Sequence, residues 1–180
     1  GSGKKHIILA RYSTTNDLYL HIGDGTNAPY LTATNAIINN EWHLYTGTID
    51  ASGMGRIYRD GVLLAEGQLT VPANVSRTYN YIGKSNWSGD SLYQGYMDEV
   101  KIYNCALSSE EIFDEYAFSN GTYDQKNVGL ISYWNMDETS GTSVKDSLGI
   151  NNGTATGTTI VDGKVNKGRS FNGTSSDYIA

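Results

Sequence analysis

Short runs of alternating apolar and polar residues, each bounded by turn residues, constrain the fold of this 180-residue chain more than any other feature. In residues 17–23, Leu18, Leu20 and Ile22 occupy every second position. Successive side chains of a β-strand point to opposite faces, so these three residues share one face. The pattern predicts a half-buried strand, and its recurrence along the chain predicts an all-β protein.

A hairpin is predicted over residues 56–65. Asp60 and Gly61 lie there between two apolar runs, and both tolerate the positive φ that a tight two-residue turn requires. The other expected strands cover residues 6–11, 17–23, 41–50, 78–83, 95–103, 129–135 and 169–179.

One segment has a helical signature. Ser108 can cap a first turn, Glu111 can complete the capping box, and Leu107 can pack on Ile112. A short helix ending near Phe118 is therefore predicted. The polar stretch after it has no periodicity and is interpreted as a linker. The chain thus divides into a linker or tag remnant at residues 1–3, a segment at 4–118, the linker at 119–127 and a segment at 128–180.

The composition excludes several partners. The net charge is −6 and no cluster of Lys and Arg is present, so no nucleic acid is expected as a partner. No stretch approaches the roughly 18 apolar residues of a membrane span, so no membrane insertion is expected. Cys105 is the only cysteine, which excludes an internal disulfide, and it is expected to be a small buried hydrophobic residue.

Three groups of stretches in the sequence are distinctive. They are GYMDEVKIYNCALSSEEI at 95–112; NEWHLY at 40–45 with YRDGV at 58–62; and LISYWNMDE at 130–138, then Asp146 and Ser147, NNGT at 151–154 and FNGT at 171–174. In this order they resemble the closing motif, the middle strands and the opening of the concanavalin-A-like, laminin-G-like jelly-roll family. The resemblance implies a sandwich of two antiparallel sheets with one short helix.

The order of these stretches is unusual, because those that resemble the family's opening come after the one that resembles its closing motif. The chain either contains the end of one repeat and the beginning of the next in a tandem array, or is a circular permutant. In a permutant, residues 4–118 supply the middle and C-terminal strands with the helix, and residues 128–180 supply the N-terminal strands of the same sandwich. Two half-sandwiches with open edges lack stability, which favours one permuted domain.

Similar family members have about one further strand between the stretch that resembles residues 177–179 and the stretch that resembles residues 5–8. Neither end of this chain supplies that strand. A sandwich that lacks a strand exposes unpaired backbone groups and an apolar slot. A complementing β-strand peptide or a second copy of the chain would fill that slot. In the alternative, the edges close or the loop shortens.

No catalytic residue is predicted, and the chain is not expected to be an enzyme. Sandwich glycosidases hold two carboxylates roughly 5–9 Å apart across a cleft. The related glucanases carry a strand of the pattern EXDXXE, which no stretch matches. Asp98 and Glu99 are adjacent in a strand pattern, so they are expected to point to opposite faces.

The resemblance also implies a structural Ca²⁺ on the rim of the sandwich. The matching positions are Asp98, Asp146, the carbonyl of Gly173, and Asp177, with Asn172 nearby. Calcium accepts about six to eight oxygen ligands of these kinds. In the competing interpretation, Asp146 and Asp177 cap turns.

Aromatic residues in loops are candidate ligand-binding residues, because aromatic rings stack on the apolar faces of sugars. Trp87 and Tyr93 lie in a polar loop and are predicted to bind ligand, although Trp87 could instead pack over the core. Trp42 and Trp134 lie in strand phrases and are assigned to the core.

The sequence therefore predicts a non-catalytic, extracellular carbohydrate-binding or adhesion module of a larger secreted or surface protein. Its partner would be a glycan or a cell-surface polysaccharide. The alternative is a protein-interaction scaffold that accepts the missing β-strand from a peptide or partner chain.

Overall fold

A computed structural model describes residues 5–87, 89–117, 129–174 and 177–180. These residues form antiparallel β-strands and one short α-helix, as predicted. None of the described helical segments has the length and hydropathy of a membrane span. In chain order the elements are β1 Lys5–Arg11, β2 Leu18–Asp24, β3 Tyr30–Ala33, β4 Tyr45–Ile49, β5 Met54–Arg59, β6 Val62–Gln68, β7 Gln94–Met97, β8 Val100–Tyr103, α1 Ser109–Ala117, β9 Leu130–Trp134, β10 Ser143–Val144, β11 Gly153–Thr156, β12 Thr159–Asp162, β13 Lys167–Asn172 and β14 Tyr178–Ile179.

The chain is divided into two compact units. Unit 1 comprises Gly1–Val75 and Cys105–Tyr123, and unit 2 comprises Ser76–Asn104 and Asp124–Ala180. Unit 2 therefore contains strands from both of the segments distinguished in the sequence, since β7 pairs with β13 and β8 pairs with β9. The completion of one permuted sandwich by these segments stays a prediction.

Unit 1 contains two three-stranded antiparallel sheets, in the orders β1-β2-β3 and β4-β5-β6. The alternation in β2 places Leu18, Leu20 and Ile22 in the core, as predicted, and each is at most 5% exposed. These residues form one cluster with Ile57 of β5 and with Leu69. The two sheets thus pack face to face over an apolar interior.

The predicted hairpin joins β5 and β6. Asp60 and Gly61 have φ values of 54° and 78°, as a two-residue turn with positive φ at both positions requires. Asp60 also binds the preceding segment, because its Oδ1 accepts from the N–H of Leu44 at 2.9 Å and its Oδ2 lies 2.6 Å from His43 Nδ1. These contacts hold the turn against the segment that leads into β4.

The predicted capping box is present at the start of α1. The N–H of Glu111 donates to Ser108 Oγ at 3.2 Å, and the N–H of Ser108 donates to Glu111 Oε2 at 2.7 Å. Ile112 is buried and attaches the helix to unit 1. The predicted linker at residues 119–127, like residues 1–3, lies outside the described residues.

Unit 2 contains the ladders β12-β13-β7, β8-β9 and β10-β11-β14. Its core is a cluster of apolar side chains from sequence-distant strands. The buried members are Met136, Val144, Ala155, Phe171 and Ile179, with Ile82, Met97, Val100 and Trp134 packed against them.

Several predicted strands are shorter or interrupted. Residues 78–83 contribute only an isolated bridge between Ile82 and Ile179. Residues 95–103 are divided into β7 and β8, and Glu99 between them has a φ of 55°. A non-glycine residue in this left-handed region breaks an extended strand, which alternation alone does not reveal.

Two assignments to the core are wrong. Cys105 is exposed, because it follows β8 in the connection to α1. Trp42 is 37% exposed, because β4 begins only at Tyr45 and Trp42 precedes it in an irregular segment. Trp134, by contrast, packs against the core of unit 2, and its indole N–H donates to the carbonyl of Asn151 at 2.8 Å.

Candidate functional site

The two predicted ligand-binding aromatic residues lie in unit 2. Trp87 is partly buried, and its N–H donates to Ser85 Oγ at 3.0 Å. Tyr93 is 40% exposed, but its ring meets Phe171 edge-on at 5.7 Å and its hydroxyl donates to the carbonyl of Tyr96 at 3.0 Å. Tyr93 therefore covers the core of unit 2. Ligand binding by either residue stays a prediction.

Asp98, the first predicted calcium ligand, directly follows β7. Its Oδ2 accepts from the N–H of Val165 and its Oδ1 from the N–H of Glu99, both at 2.9 Å. Burial raises the pKa of Asp98 to about 6, and the nearby Glu99 carboxylate adds to the rise, although the backbone donors favour the ionised form. Asp98 is thus a half-buried carboxyl held by backbone N–H groups, one from the next residue and one from the distant Val165.

Asp146 caps the loop that it begins. It is 4% exposed; its Oδ1 accepts from the N–H groups of Tyr133 and Leu148, and its Oδ2 accepts from that of Asn151, at 2.9–3.1 Å. Burial opposes ionisation, but these backbone donors outweigh it and lower the pKa of Asp146. The carboxylate therefore supplies acceptors for backbone groups, as in the turn-capping interpretation.

Three of the predicted ligands come together at the C-terminal end of β13. Asp177 is buried, and its Oδ2 accepts from the N–H of Asn172 at 2.6 Å. Asn172 Oδ1 accepts from the N–H of Thr174 at 2.8 Å. Gly173 lies between them with a φ of 76°. These contacts form a closed turn in which Asp177 also acts as a cap.

Asp98 and Asn172 do not fit one calcium site. In the β7–β13 ladder Gln94 pairs with Asn172 and Met97 pairs with Arg169, so Asp98 lies beyond the opposite end of the ladder. The Cα atoms of Asp98 and Asn172 are therefore about 13 Å apart along the strands. Oxygen ligands about 2.3–2.6 Å from one ion lie within about 5 Å of each other. Among the described residues, no cluster of three His, Cys, Asp or Glu side chains is arranged to hold a metal. Calcium binding by a smaller set of residues stays a prediction.

A group of aromatic side chains covers the outer face of the sheet β1-β2-β3 in unit 1. In β2, Tyr19 and His21 alternate with the buried Leu and Ile residues and so point away from the core. His21 pairs with Tyr30 of β3, which brings those side chains together. Tyr12, directly after β1, completes the group. We call Tyr12, Tyr19, His21 and Tyr30 the aromatic face.

The rings of the aromatic face are in mutual contact. Tyr12 and Tyr30 stack with centroids 5.6 Å apart and an interplanar angle of 25°. Tyr19 meets the same two rings edge-on at 5.6 and 6.4 Å. A hydrogen bond with Tyr30 raises the pKa of the Tyr12 phenol above its ordinary value. The rings are held in place before any ligand binds.

Much of this surface is open to solvent. Tyr30 is 53% and Tyr12 39% exposed. These residues were not predicted from the sequence, although one signal was present: Tyr19 and His21 occupy the polar positions of the β2 alternation. The neighbours Tyr12 and Tyr30 depend on the pairing and register of three strands, which alternation does not supply.

The family model for laminin G-like domains, described as the concanavalin A-like lectin/glucanases superfamily, matches residues 1–113, more than half of the chain. This protein belongs to the concanavalin A-like lectin/glucanase superfamily. The predicted fold class, a concanavalin-A-like antiparallel β-sandwich with one short helix, is confirmed.

Similarity beyond the family is low. A crystal structure of an S-layer domain-containing protein (residues 221–444) from Clostridium thermocellum ATCC 27405 has a TM-score of 0.41 and 21% sequence identity to this chain. The match covers 64% of this chain and 58% of that chain, and a likeness at this level supports no conclusion about function. No curated protein sequence matches the chain.

Proposed function

We propose that this chain is a non-catalytic carbohydrate-binding module and that its aromatic face is the sugar-binding surface. The observation that carries the proposal is the contact among Tyr12, Tyr19 and Tyr30 on a solvent-facing sheet, with Tyr12 and Tyr30 both well exposed. Membership of a superfamily described by lectins and glucanases agrees with a carbohydrate ligand.

The chemistry of the aromatic face suits a sugar. Tyrosine combines an apolar ring, on which the C–H groups of a pyranose can lie, with a hydroxyl that bonds to sugar hydroxyls. The rings stand on paired strands and contact one another, so little side-chain entropy is lost on binding. A glycan or cell-surface polysaccharide is therefore the proposed partner.

We further propose that the module belongs to a larger surface or secreted protein. The superfamily of the chain fits an extracellular binding module. Binding to a polysaccharide outside the cell would give it an adhesive role.

The test is a glycan array followed by titration calorimetry with the glycan that binds. Removing one stacked ring costs about 0.5–1.5 kcal/mol beyond its buried area, so Tyr30→Ala should weaken binding about tenfold. Tyr30→Phe keeps the ring and should retain most of the affinity. Tyr79→Ala is the matched control, because Tyr79 is a still more exposed tyrosine in unit 2.

The same titration separates the competing sites. Equal binding by the wild type and Tyr30→Ala would overturn the assignment to the aromatic face. A loss on Trp87→Ala alone would instead assign binding to the loop predicted from the sequence. Release of reducing ends from the bound glycan, abolished by substitution of a carboxylate, would contradict the non-catalytic proposal.

A further inference from the structure

β1 is a long edge strand with exposed apolar residues. It is seven residues long and pairs with β2, and in the described part of the chain no strand pairs with its other edge. A long edge strand presents a row of backbone N–H and C=O groups that can pair with another strand.

The core-side residues of β1 are incompletely covered. Ile7 pairs with Ile22 and Leu9 pairs with Leu20, so each pair shares one face of the sheet. Ile22 and Leu20 are 0% and 3% exposed, whereas Ile7 and Leu9 are 49% and 40% exposed. The core of unit 1 thus ends at β1, where these two aliphatic side chains remain nearly half exposed.

The positive charges at the ends of β1 favour some partner strands over others. Lys5 and Arg11 stand at the two ends of β1, and both are exposed. The Arg11 guanidinium donates to the carbonyl of Thr15 and to Asn16 Oδ1, which are neutral acceptors. Lys5 stands opposite Asp24 in the β1–β2 ladder, but among the described residues no carboxylate forms a salt bridge with either cation.

A second copy of β1 is a poor occupant. Full-length antiparallel pairing of β1 with itself would place Lys5 opposite Arg11 of the other copy at both ends. Like charges directly opposite each other destabilise a strand pair. A strand with acidic ends would instead place opposite charges at both positions.

We propose that β1 accepts, as an additional antiparallel strand, an extended segment of another polypeptide with alternating apolar residues and an acidic residue at each end. Backbone hydrogen bonds along β1 would supply affinity, and the apolar residues would cover Ile7 and Leu9. The acidic ends would set the register against Lys5 and Arg11. Ile7 and Leu9 lie on the core side of the sheet, opposite the aromatic face.

The test uses the full chain and three blocked synthetic peptides. One has alternating valine and threonine with glutamate at both ends, the second replaces both glutamates by lysine, and the third is the acidic peptide with alternate amides N-methylated to remove donors. Hydrogen exchange with mass spectrometry measures protection of residues 5–11, and fluorescence anisotropy measures affinity.

We expect the acidic peptide to slow exchange in β1 and to bind at least about threefold more tightly than the basic peptide, because two cross-strand charge pairs are reversed. Lys5→Gln should reduce that preference, and the N-methylated peptide should not bind. Unchanged exchange in β1 with the acidic peptide would overturn the proposal. So would protection of β1 that grows with protein concentration alone, which would identify a second copy as the occupant.

Discussion

Asp98 shows how burial and backbone donors compete over a single carboxyl. Burial raises its pKa to about 6 from 3.8, even though two backbone N–H groups bond to the carboxylate. The folded state therefore binds the proton more tightly than the unfolded state. The resulting stabilisation is fully present below about pH 4 and is lost as the pH rises through about 6.

We predict that Asp98 titrates near pH 6 in the folded protein. Carbon-13 NMR of the labelled carboxyl should give its midpoint, and denaturant unfolding from about pH 4 to 7 should show stability falling across the same interval once the other groups are accounted for. Asp98→Asn should remove this component of the pH dependence. A midpoint near the ordinary aspartate value would contradict the prediction.

The hairpin β5–β6 and the helix α1 approach each other closely at a glycine, Gly61. A Cβ placed on Gly61 would lie 2.9 Å from Phe113 Cα, which is backbone and cannot move aside cheaply. Gly61 also has a φ of 78°. The turn therefore needs glycine for its own conformation and for the close approach of α1.

We predict that Gly61→Ala destabilises the protein by about 2–4 kcal/mol, from left-handed strain and from overlap with α1. Gly141→Ala is the control, because Gly141 has a φ of 81° but a Cβ placed on it would meet nothing within 4 Å beyond its own chain neighbours. That variant should show only the strain, about 1–2 kcal/mol. Equal losses in thermal or denaturant unfolding would show that the overlap with α1 costs nothing.

The separate positions of the acidic residues bear on whether the folded protein depends on a metal ion. Asp98 lies at one end of the β7–β13 ladder, the turn of Asn172 and Asp177 lies at the other, and Asp146 caps a separate loop. Each carboxylate has backbone partners of its own. We therefore expect that no ion is needed to hold these residues in place.

We predict that EDTA leaves the thermal unfolding midpoint unchanged in a buffer without added metal, and that Ca²⁺ restores nothing. The measurement is scanning calorimetry, with Mg²⁺ as the comparison ion. A midpoint that falls with EDTA and recovers with Ca²⁺ but not with Mg²⁺ would show a calcium site, as the resemblance implied.

Features that depend on a few neighbouring residues were predicted correctly. The alternation of Leu18, Leu20 and Ile22, the Asp60–Gly61 turn and the capping box of Ser108 and Glu111 were all predictable, because strand faces, turn conformations and helix caps are set by residues within about four positions of one another.

Contacts between residues that are distant in the sequence depend on how the whole chain packs. The aromatic face requires three strands in one register, and the separation of Asp98 from Asn172 requires β7 to pair with β13, more than 60 residues away in the sequence. The exposure of Cys105, Trp42, Ile7 and Leu9 likewise depends on where strands end and which edge is left unpaired. Such pairings are chosen by the burial of the whole core, and no local pattern encodes that choice.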